Sequence, residues 1–206
     1  MQKLFLASFA SVTLDLVTPL LPKPASEMRA AFIPTAGDPY GDKEFVYADR
    51  EKLVTMGCSV IDIDLKKSDA QSLAKELSDI DLVLVAGGNT FYLLDKVRKS
   101  GFDKVVEKLL DRGVIYVGSS AGSIICCPTI AGAKRFDNEN DAPDLSDYTG
   151  LHLFDKIIIP HAHKEKYAER ISLTTSEMEG LGFEVVALTD KQAITISDGL
   201  SKVVEV

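Results

Sequence analysis

The residues best suited to chemistry lie in Gly118-Ser119-Ser120-Ala121-Gly122, which has the spacing G-x-S-x-G. The β-branched run 114–117 before it predicts a buried strand, and residues 121–127 can form a helix that Pro128 ends. In this context the serine sits on a strained turn, and the N–H of the next residue points at a developing oxyanion. We therefore predict that Ser120 is a nucleophile. The alternative is a small-residue turn that lets the helix pack on the sheet.

A serine hydroxyl needs a neighbouring base, and the base needs an acceptor that holds its tautomer. Of the three histidines, His161 follows an isoleucine run that predicts a strand, so this side chain would be held rigidly. His152 is predicted on the surface, and His163 at a helix cap or on the surface. Asp190 also follows a predicted strand, either as the acid of a triad or as a turn aspartate. The predicted catalytic residues are thus Ser120, His161 and Asp190.

Two backbone N–H groups are candidates for an oxyanion hole. Ala121 directly follows the predicted nucleophile. Gly88 follows the apolar strand 80–86, and its lack of a side chain frees its backbone conformation. We expect the N–H groups of Gly88 and Ala121 to face the same oxyanion.

Alternating strands and helices must position these residues. Strands are predicted over 4–9, 29–34, 60–65, 80–86, 114–117, 156–160 and 184–188. Helices are predicted over 42–56, 68–77 (capped by Ser68), 90–99, 102–113 and 164–180, and a hairpin joins 193–196 to 202–206 around Asp198-Gly199. Alternating Ile and Asp in 60–65 predicts a strand near the edge. The order predicts one α/β domain over 1–206, with a doubly wound, mostly parallel sheet and a C-terminal antiparallel hairpin.

In such sheets ligands bind at the carboxyl ends of the strands. Gly88, Ser120, His161 and Asp190 all follow predicted strands, so we expect them to meet at one edge. Lys164 and Lys166 form the basic pair nearest to them and are predicted on a solvated helix face.

Composition narrows the classes of partner. A formal charge of −8 without a basic patch argues against nucleic acid. No apolar run is long enough to span a bilayer, and residues 1–12 are a poor signal peptide, so we expect a cytoplasmic protein. Three cysteines without zinc spacing predict buried thiols, no metal and no cofactor. The oligomeric state is not predicted.

The chain resembles the serine peptidases typified by dipeptidase E (aspartyl dipeptidase), family S51, which also include cyanophycinase. The motifs that carry the resemblance run from residue 80 onward: Val85-Ala86-Gly87-Gly88-Asn89-Thr90, the Ser120 pentapeptide, Cys127-Pro128-Thr129-Ile130, Pro160-His161 and Leu188-Thr189-Asp190.

The resemblance implies a flavodoxin-like or class I glutamine amidotransferase-like fold with a Ser-His-acid triad, in which the family commonly has glutamate where this chain has Asp190. It also implies a small-peptide substrate, including dipeptides that begin with aspartate. In the family, the arginine that binds this aspartate lies in the segment after the catalytic histidine. In this chain the arginine of that segment is Arg170, and Tyr167 is the alternative occupant of the position. Amidotransferases need cysteine at the elbow, and Cys126 and Cys127 lie too deep in the helix to replace Ser120.

Two alternatives to a peptidase remain. One is another acyl hydrolase, an esterase or amidase, on the same scaffold. The other is a non-enzymatic module in which Gly87-Gly88-Asn89-Thr90 and the helix after Ser120 bind a phosphate or carboxylate.

The acidic segment 131–150 connects the Ser120 helix to the strand before His161 and has few core residues. We expect a mobile segment that borders the substrate pocket, limits peptide length and supplies a carboxylate for the substrate's α-ammonium. Asp141 and Asp144 are the candidates for this carboxylate. The predicted substrate-binding residues are then Asn89, Asp141 and Arg170.

Overall fold

The computed structural model describes residues 2–206. The strands are β1 (Lys3–Ala7), β2 (Arg29–Ile33), β3 (Ser59–Asp62), β4 (Leu82–Val85), β5 (Ile115–Ser119), β6 (Ile157–Ile159), β7 (Val185–Ala187), β8 (Gln192–Ser197) and β9 (Leu200–Glu205). The helices are α1 (Ala10–Thr13), α2 (Glu44–Thr55), α3 (Ala70–Glu76), α4 (Thr90–Ser100), α5 (Phe102–Asp111), α6 (Ala121–Ile124) and α7 (Ala168–Gly180).

The main sheet has the order β3-β2-β4-β5-β1-β8-β9. Its first five strands are parallel, and β8 and β9 form the antiparallel hairpin that continues the sheet beside β1. The predicted fold class is thereby confirmed, and β3 lies at the edge as its sequence pattern indicates. Because β1 and β5 are parallel neighbours, Ser8 and Ser120 leave the sheet side by side.

The sheet is covered on both faces. Side chains of β4 alternate between two clusters, with Val83 and Val85 in one and Leu82 and Leu84 in the other. The first cluster packs against α3, α4, α5 and α6, and the second against α1 and α2. Burial of each such side chain contributes about 1.5–3 kcal/mol, which fixes the strand ends that carry the site.

Three local expectations are wrong. The segments around His161 and Asp190 do not join the main sheet, because β6 and β7 pair in parallel only with each other. Asp69, not Ser68, caps α3, since its carboxylate accepts the N–H groups of Gln71 and Ser72. The helix after the elbow, α6, ends at Ile124 instead of continuing to residue 127.

The acidic segment 131–150 is packed, contrary to expectation. It contains two short 3-10 helices, Ala131–Arg135 and Glu139–Asp141, and it buries Ala133 and Ala142. An antiparallel bridge between Thr129 and Thr149 closes its base. The segment therefore forms a packed layer of short helical turns next to the strand ends.

Candidate active site

Ser120 occupies a strained turn between β5 and α6. Its φ of 47° and ψ of −106° lie outside the regions that non-glycine residues normally adopt. The flanking glycines are required by space: a Cβ on Gly118 would lie 2.6 Å from the Gly122 oxygen, and one on Gly122 would lie 2.1 Å from the Val85 oxygen. This close packing explains the G-x-S-x-G spacing physically.

The three predicted catalytic residues lie in one hydrogen-bonded line. Ser120 Oγ lies 3.2 Å from His161 Nε2, and His161 Nδ1 lies 2.5 Å from Asp190 Oδ1. His161 itself has a left-handed backbone, with φ of 63°. With a proton on Nδ1 held by Asp190, Nε2 can accept the serine proton, which is the chemistry of nucleophilic acyl transfer.

Asp190 is held as a carboxylate. Burial acts to raise its pKa, but the hydrogen bond and charge of His161 and the hydrogen bonds from Lys164 and Ser8 outweigh burial and hold the pKa well below its usual range. Lys164 Nζ lies 3.1 Å from Asp190 Oδ2 and 3.3 Å from His161 Nδ1. The prediction that Lys164 and Lys166 lie on a solvated face is thus wrong for Lys164, whereas Lys166 is exposed as predicted. His163 also belongs to this cluster, since its Nδ1 accepts the Asp190 N–H at 3.4 Å.

Ser8 is a positioning residue that sequence reasoning missed. Its fully buried hydroxyl accepts the His161 N–H at 2.8 Å and donates to Asp190 Oδ1 at 2.9 Å. The preceding Ala7 carbonyl accepts the N–H of Ser120 at 3.0 Å. The end of β1 therefore ties all three members of the line together. Its only signal in the sequence is a small polar residue directly after a predicted strand.

The two predicted oxyanion donors are backbone N–H groups near the nucleophile. Ala121 is the first residue of α6, so its N–H has no acceptor within the helix. Gly88 lines the cavity beside Ser120, and its φ of 145° together with the Ala36 carbonyl, 2.1 Å from an added Cβ, excludes any side chain. The oxyanion role of both residues stays a prediction.

A cavity of about 370 Å³ opens in front of Ser120. Its aromatic lining residues are Phe9, Tyr40, Phe45, Phe136 and Tyr167. Its polar side chains are Asp49, Ser119, Ser120, Asp137, His161 and Lys164. Such a cavity, mostly apolar with few convergent polar groups, has the character of a small-molecule site.

The residues predicted to bind substrate do not line this cavity. Asn89 caps α4 and donates through Nδ2 to Asp141 Oδ2 at 2.8 Å, so the two side chains satisfy each other. Asp144 pairs with Lys99 at 3.0 Å. The guanidinium of Arg170 lies 5.9 Å from the ring centre of Tyr167, which itself lines the cavity.

Asp137 is the acid of the 131–150 segment that reaches the cavity, as does its neighbour Phe136. The segment therefore borders the cavity, as expected, and the carboxylate that it places there is Asp137 and not Asp141 or Asp144. Asp137 accepts the Thr90 N–H at 2.9 Å. Burial raises the pKa of Asp137, against the lowering effect of Thr90 and the charge of His161. The negative charge of Asp137 also contributes, after burial, to raising the pKa of Tyr40 to about 12.

The cysteines are free and buried, as predicted, and Cys126 and Cys127 are completely inaccessible. His152 is largely exposed, also as predicted. Within residues 2–206, no group of three or more His, Cys, Asp or Glu side chains is arranged to hold a metal ion. Over the same range, no helix has the length and apolar character needed to cross a membrane.

The fold and the site together define an α/β protein with a serine, a histidine and a carboxylate in line at the ends of parallel strands, an arrangement found in many hydrolases. Comparison with known proteins narrows this class.

The model of peptidase family S51 matches residues 5–204, so the chain belongs to this family and is a peptidase. The resemblance predicted from its motifs is thereby confirmed. The chain is 32% identical over 161 residues to an uncharacterised peptidase of Pasteurella multocida, covering 78% of this chain and 77% of that protein. It is 29% identical over 198 residues to peptidase E of Salmonella typhi, covering 90% and 81% of the two chains.

Solved structures agree. A crystal structure of a candidate peptidase E from Listeria monocytogenes superposes with a TM-score of 0.92 and 27% identity, covering 100% of this chain and 99% of that one. A peptidase from an acI-B1 actinobacterium has a TM-score of 0.72 at 14% identity, covering 100% and 88% of the chains, which is a likeness of fold alone.

Proposed function

We propose that this protein is a serine peptidase that hydrolyses small peptides with a free amino terminus. The observation that carries the proposal is the line from Ser120 Oγ through His161 to Asp190, with separations of 3.2 and 2.5 Å. In the first half-reaction Ser120 Oγ attacks the scissile carbonyl carbon while His161 Nε2 takes the hydroxyl proton. His161 then gives that proton to the leaving amine as the C–N bond breaks.

In the second half-reaction a water molecule, deprotonated by His161, attacks the acyl ester on Ser120. His161 then returns the proton to Ser120 Oγ as the ester bond breaks and the acid leaves. Asp190 stays ionised in both halves and stabilises the imidazolium. The N–H groups of Gly88 and Ala121 are the proposed donors to the oxyanion of each tetrahedral intermediate.

The size of the substrate follows from the cavity. About 370 Å³ is near the lower end of the range for ligand sites, and the packed 131–150 segment forms one wall. We infer that the enzyme takes peptides of two or three residues. Asp137, which faces the cavity from that wall, is the proposed partner of the substrate's α-ammonium, in place of Asp141 or Asp144.

The charges of the cavity bear on the preference for an N-terminal aspartate. Among the described lining residues the carboxylates are Asp49 and Asp137, while the ammonium of Lys164 is already paired with Asp190. Arg170, the residue that the family resemblance suggests for aspartate, contacts Tyr167 from outside the cavity lining. We therefore propose that aspartyl dipeptides are not the preferred substrates.

A fluorophosphonate probe tests the nucleophile. We expect labelling at Ser120 that is abolished in Ser120→Ala and strongly reduced in His161→Ala. Ser119→Ala, which removes the neighbouring buried hydroxyl, serves as the matched control and should still be labelled at Ser120. Labelling that survives in Ser120→Ala would contradict the proposal, and absence of labelling in the native protein would favour the non-enzymatic module.

Hydrolysis of peptides and of matched esters, followed by mass spectrometry, separates a peptidase from an esterase. The amino-terminal requirement is tested by comparing a dipeptide with its N-acetylated form. We expect the native enzyme to prefer the free peptide and Asp137→Asn to lose this preference. Asp144→Asn is the control that should keep it, because Asp144 pairs with Lys99 away from the cavity lining. Equal cleavage of both peptides by the native enzyme would exclude recognition of the amino terminus.

A further inference from the structure

Asp49 is a buried acid on the wall of the catalytic cavity that the proposed mechanism does not use. It lies on α2, its residue is 1% exposed, and it lines the cavity together with Phe9, Phe45 and Ser119. Asp49 Oδ1 accepts the Ser11 N–H at 2.7 Å. Asp49 Oδ2 is buried and receives no hydrogen bond of standard geometry within the described part of the chain, although the Ser119 hydroxyl lies close enough to act on the pKa of Asp49.

A buried carboxyl oxygen without a partner is costly, and native proteins rarely keep one without a functional reason. Here burial raises the pKa of Asp49 to about 7, although the Ser119 hydroxyl and the Ser11 N–H lower it. A carboxyl group in this state can pair with a donor that enters the cavity, and it gains most from a donor that carries a positive charge.

The surroundings of Asp49 suit a cation on an apolar stem. Phe9 and Phe45 line the same cavity, Phe45 lies one helical turn before Asp49 on α2, and Tyr40 contacts Phe45 edge to face with ring centres 5.7 Å apart. Aromatic rings pack against methylene groups, and their faces attract ammonium and guanidinium groups. The formal charge of −8 on the whole chain adds to this attraction at long range.

We propose that Asp49 forms the floor of a side-chain subsite that selects peptide substrates with a cationic side chain, lysine or arginine, next to the scissile bond. The inference rests on the proposed peptidase function and adds its substrate class. The aliphatic stem of the side chain packs between Phe9 and Phe45, and its ammonium or guanidinium donates to Asp49 Oδ2.

The test compares lysyl-alanine with norleucyl-alanine, which has the same stem and no charge. In the native enzyme we expect kcat/KM to favour the lysyl peptide by at least about tenfold, and Asp49→Asn to reduce this ratio to about one, since charged pairs in buried sites have couplings of this order or larger. Asparagine keeps an acceptor for the Ser11 N–H, so Asp49→Asn retains that contact. Asp137→Asn is the matched control: it should lower kcat/KM for both peptides alike and leave their ratio unchanged.

A measurement on the native enzyme covers the case in which Asp49→Asn fails to fold. Acetylation of the lysyl side chain at Nε removes its charge, and we expect it to lower kcat/KM by at least about tenfold. A native enzyme that cleaves lysyl, Nε-acetyl-lysyl and norleucyl peptides equally well would overturn the proposal. So would an unchanged ratio in folded Asp49→Asn.

Calorimetric binding to Ser120→Ala keeps this proposal separate from the peptidase function. Preferential binding of lysyl-alanine that depends on Asp49 would support the subsite even if the native protein hydrolysed neither peptide. Hydrolysis of both peptides without any Asp49-dependent preference would leave the peptidase function standing and refute the subsite.

Discussion

Replacement of Asp190 by asparagine tests the proposed triad most directly, because its neighbours make both orientations of the amide unfavourable. Asp190 Oδ1 accepts from His161 Nδ1 and from the Ser8 hydroxyl, and Asp190 Oδ2 accepts from the Lys164 ammonium. If the amide NH2 takes the place of Oδ2, it faces the Lys164 ammonium at a separation of 3.1 Å, donor against donor. If the amide NH2 takes the place of Oδ1, it forces His161 Nδ1 to be an acceptor.

The second orientation relieves the clash with Lys164 and is the one we expect. It puts the imidazole proton on His161 Nε2, which can then no longer accept the proton of Ser120. In Ser-His-Asp triads this wrong tautomer lowers kcat by about 10⁴. We therefore expect Asp190→Asn to lower kcat by about 10³–10⁴, which is about 4–5.5 kcal/mol of transition-state stabilisation.

A second substitution, at Lys164, should compensate in part for Asp190→Asn. Lys164→Gln in the Asp190→Asn background offers an amide oxygen to the asparagine NH2, so that the asparagine oxygen can turn to His161 Nδ1. We expect the double variant to recover about tenfold in kcat relative to Asp190→Asn alone, in keeping with coupling energies between contacting residues.

The assay is kcat for a free dipeptide at neutral pH, together with the rate of fluorophosphonate labelling and near-UV circular dichroism to verify folding. An unchanged kcat in Asp190→Asn would refute the assignment of Asp190 as the acid of the triad. Asp137 would then be the next candidate, because it lies close enough to His161 for the charge of His161 to act on its pKa. A large loss in Asp190→Asn with no recovery in the double variant would refute the argument from the orientation of the amide.

Further outcomes follow from other contacts of the site. Ser8→Ala leaves the His161 N–H without its acceptor, so we expect kcat to fall about 10–100-fold with KM nearly unchanged. Ser8→Thr should restore part of the rate. A change in KM with kcat unchanged would contradict a positioning role. Gly122→Ala should lower the free energy of unfolding, measured in urea, by about 3 kcal/mol or more, because its Cβ would lie 2.1 Å from the Val85 carbonyl oxygen. Gly41→Ala is the control: its Cβ meets no atom within 4 Å, so we expect a free energy of unfolding close to that of the native protein. Since the pKa of Asp49 is raised from 3.8 to about 7, the folded state holds a proton that the unfolded state has lost, and stability should fall as pH rises between these values, by on the order of 3–4 kcal/mol. Asp49→Asn should remove this slope in urea titrations from pH 4 to 8, and an identical slope in both proteins would show that Asp49 is not the titrating group.

The sequence alone determined the parts of this protein that depend on local patterns. Gly118 and Gly122, placed around Ser120 between a β-branched run and a short helix, specify the turn at the serine. Only glycine fits at these two positions, because an added Cβ would meet the Gly122 carbonyl at the first and the Val85 carbonyl at the second. Apolar runs that end in His161 or Asp190 identify strand ends in the same way. Alternation of strands with amphipathic helices was sufficient for the fold class, because each pattern reports its own secondary structure and burial.

Tertiary structure decided which distant residues meet. Ser8 precedes His161 by 153 positions, and nothing local marks its hydroxyl as the link between His161 and Asp190. The position of the carboxylates was decided in the same manner: packing of the 131–150 segment turns Asp137 into the cavity and leaves Asp144 with Lys99. Asp49 lies in mid-helix, where an aspartate ordinarily faces solvent, and only the packing of α2 against α1, where the Ser11 N–H donates to Asp49, buries it. The spacing of apolar residues along a strand or helix depends on the local sequence alone. The residue that a side chain contacts across the sheet depends instead on how the whole core packs.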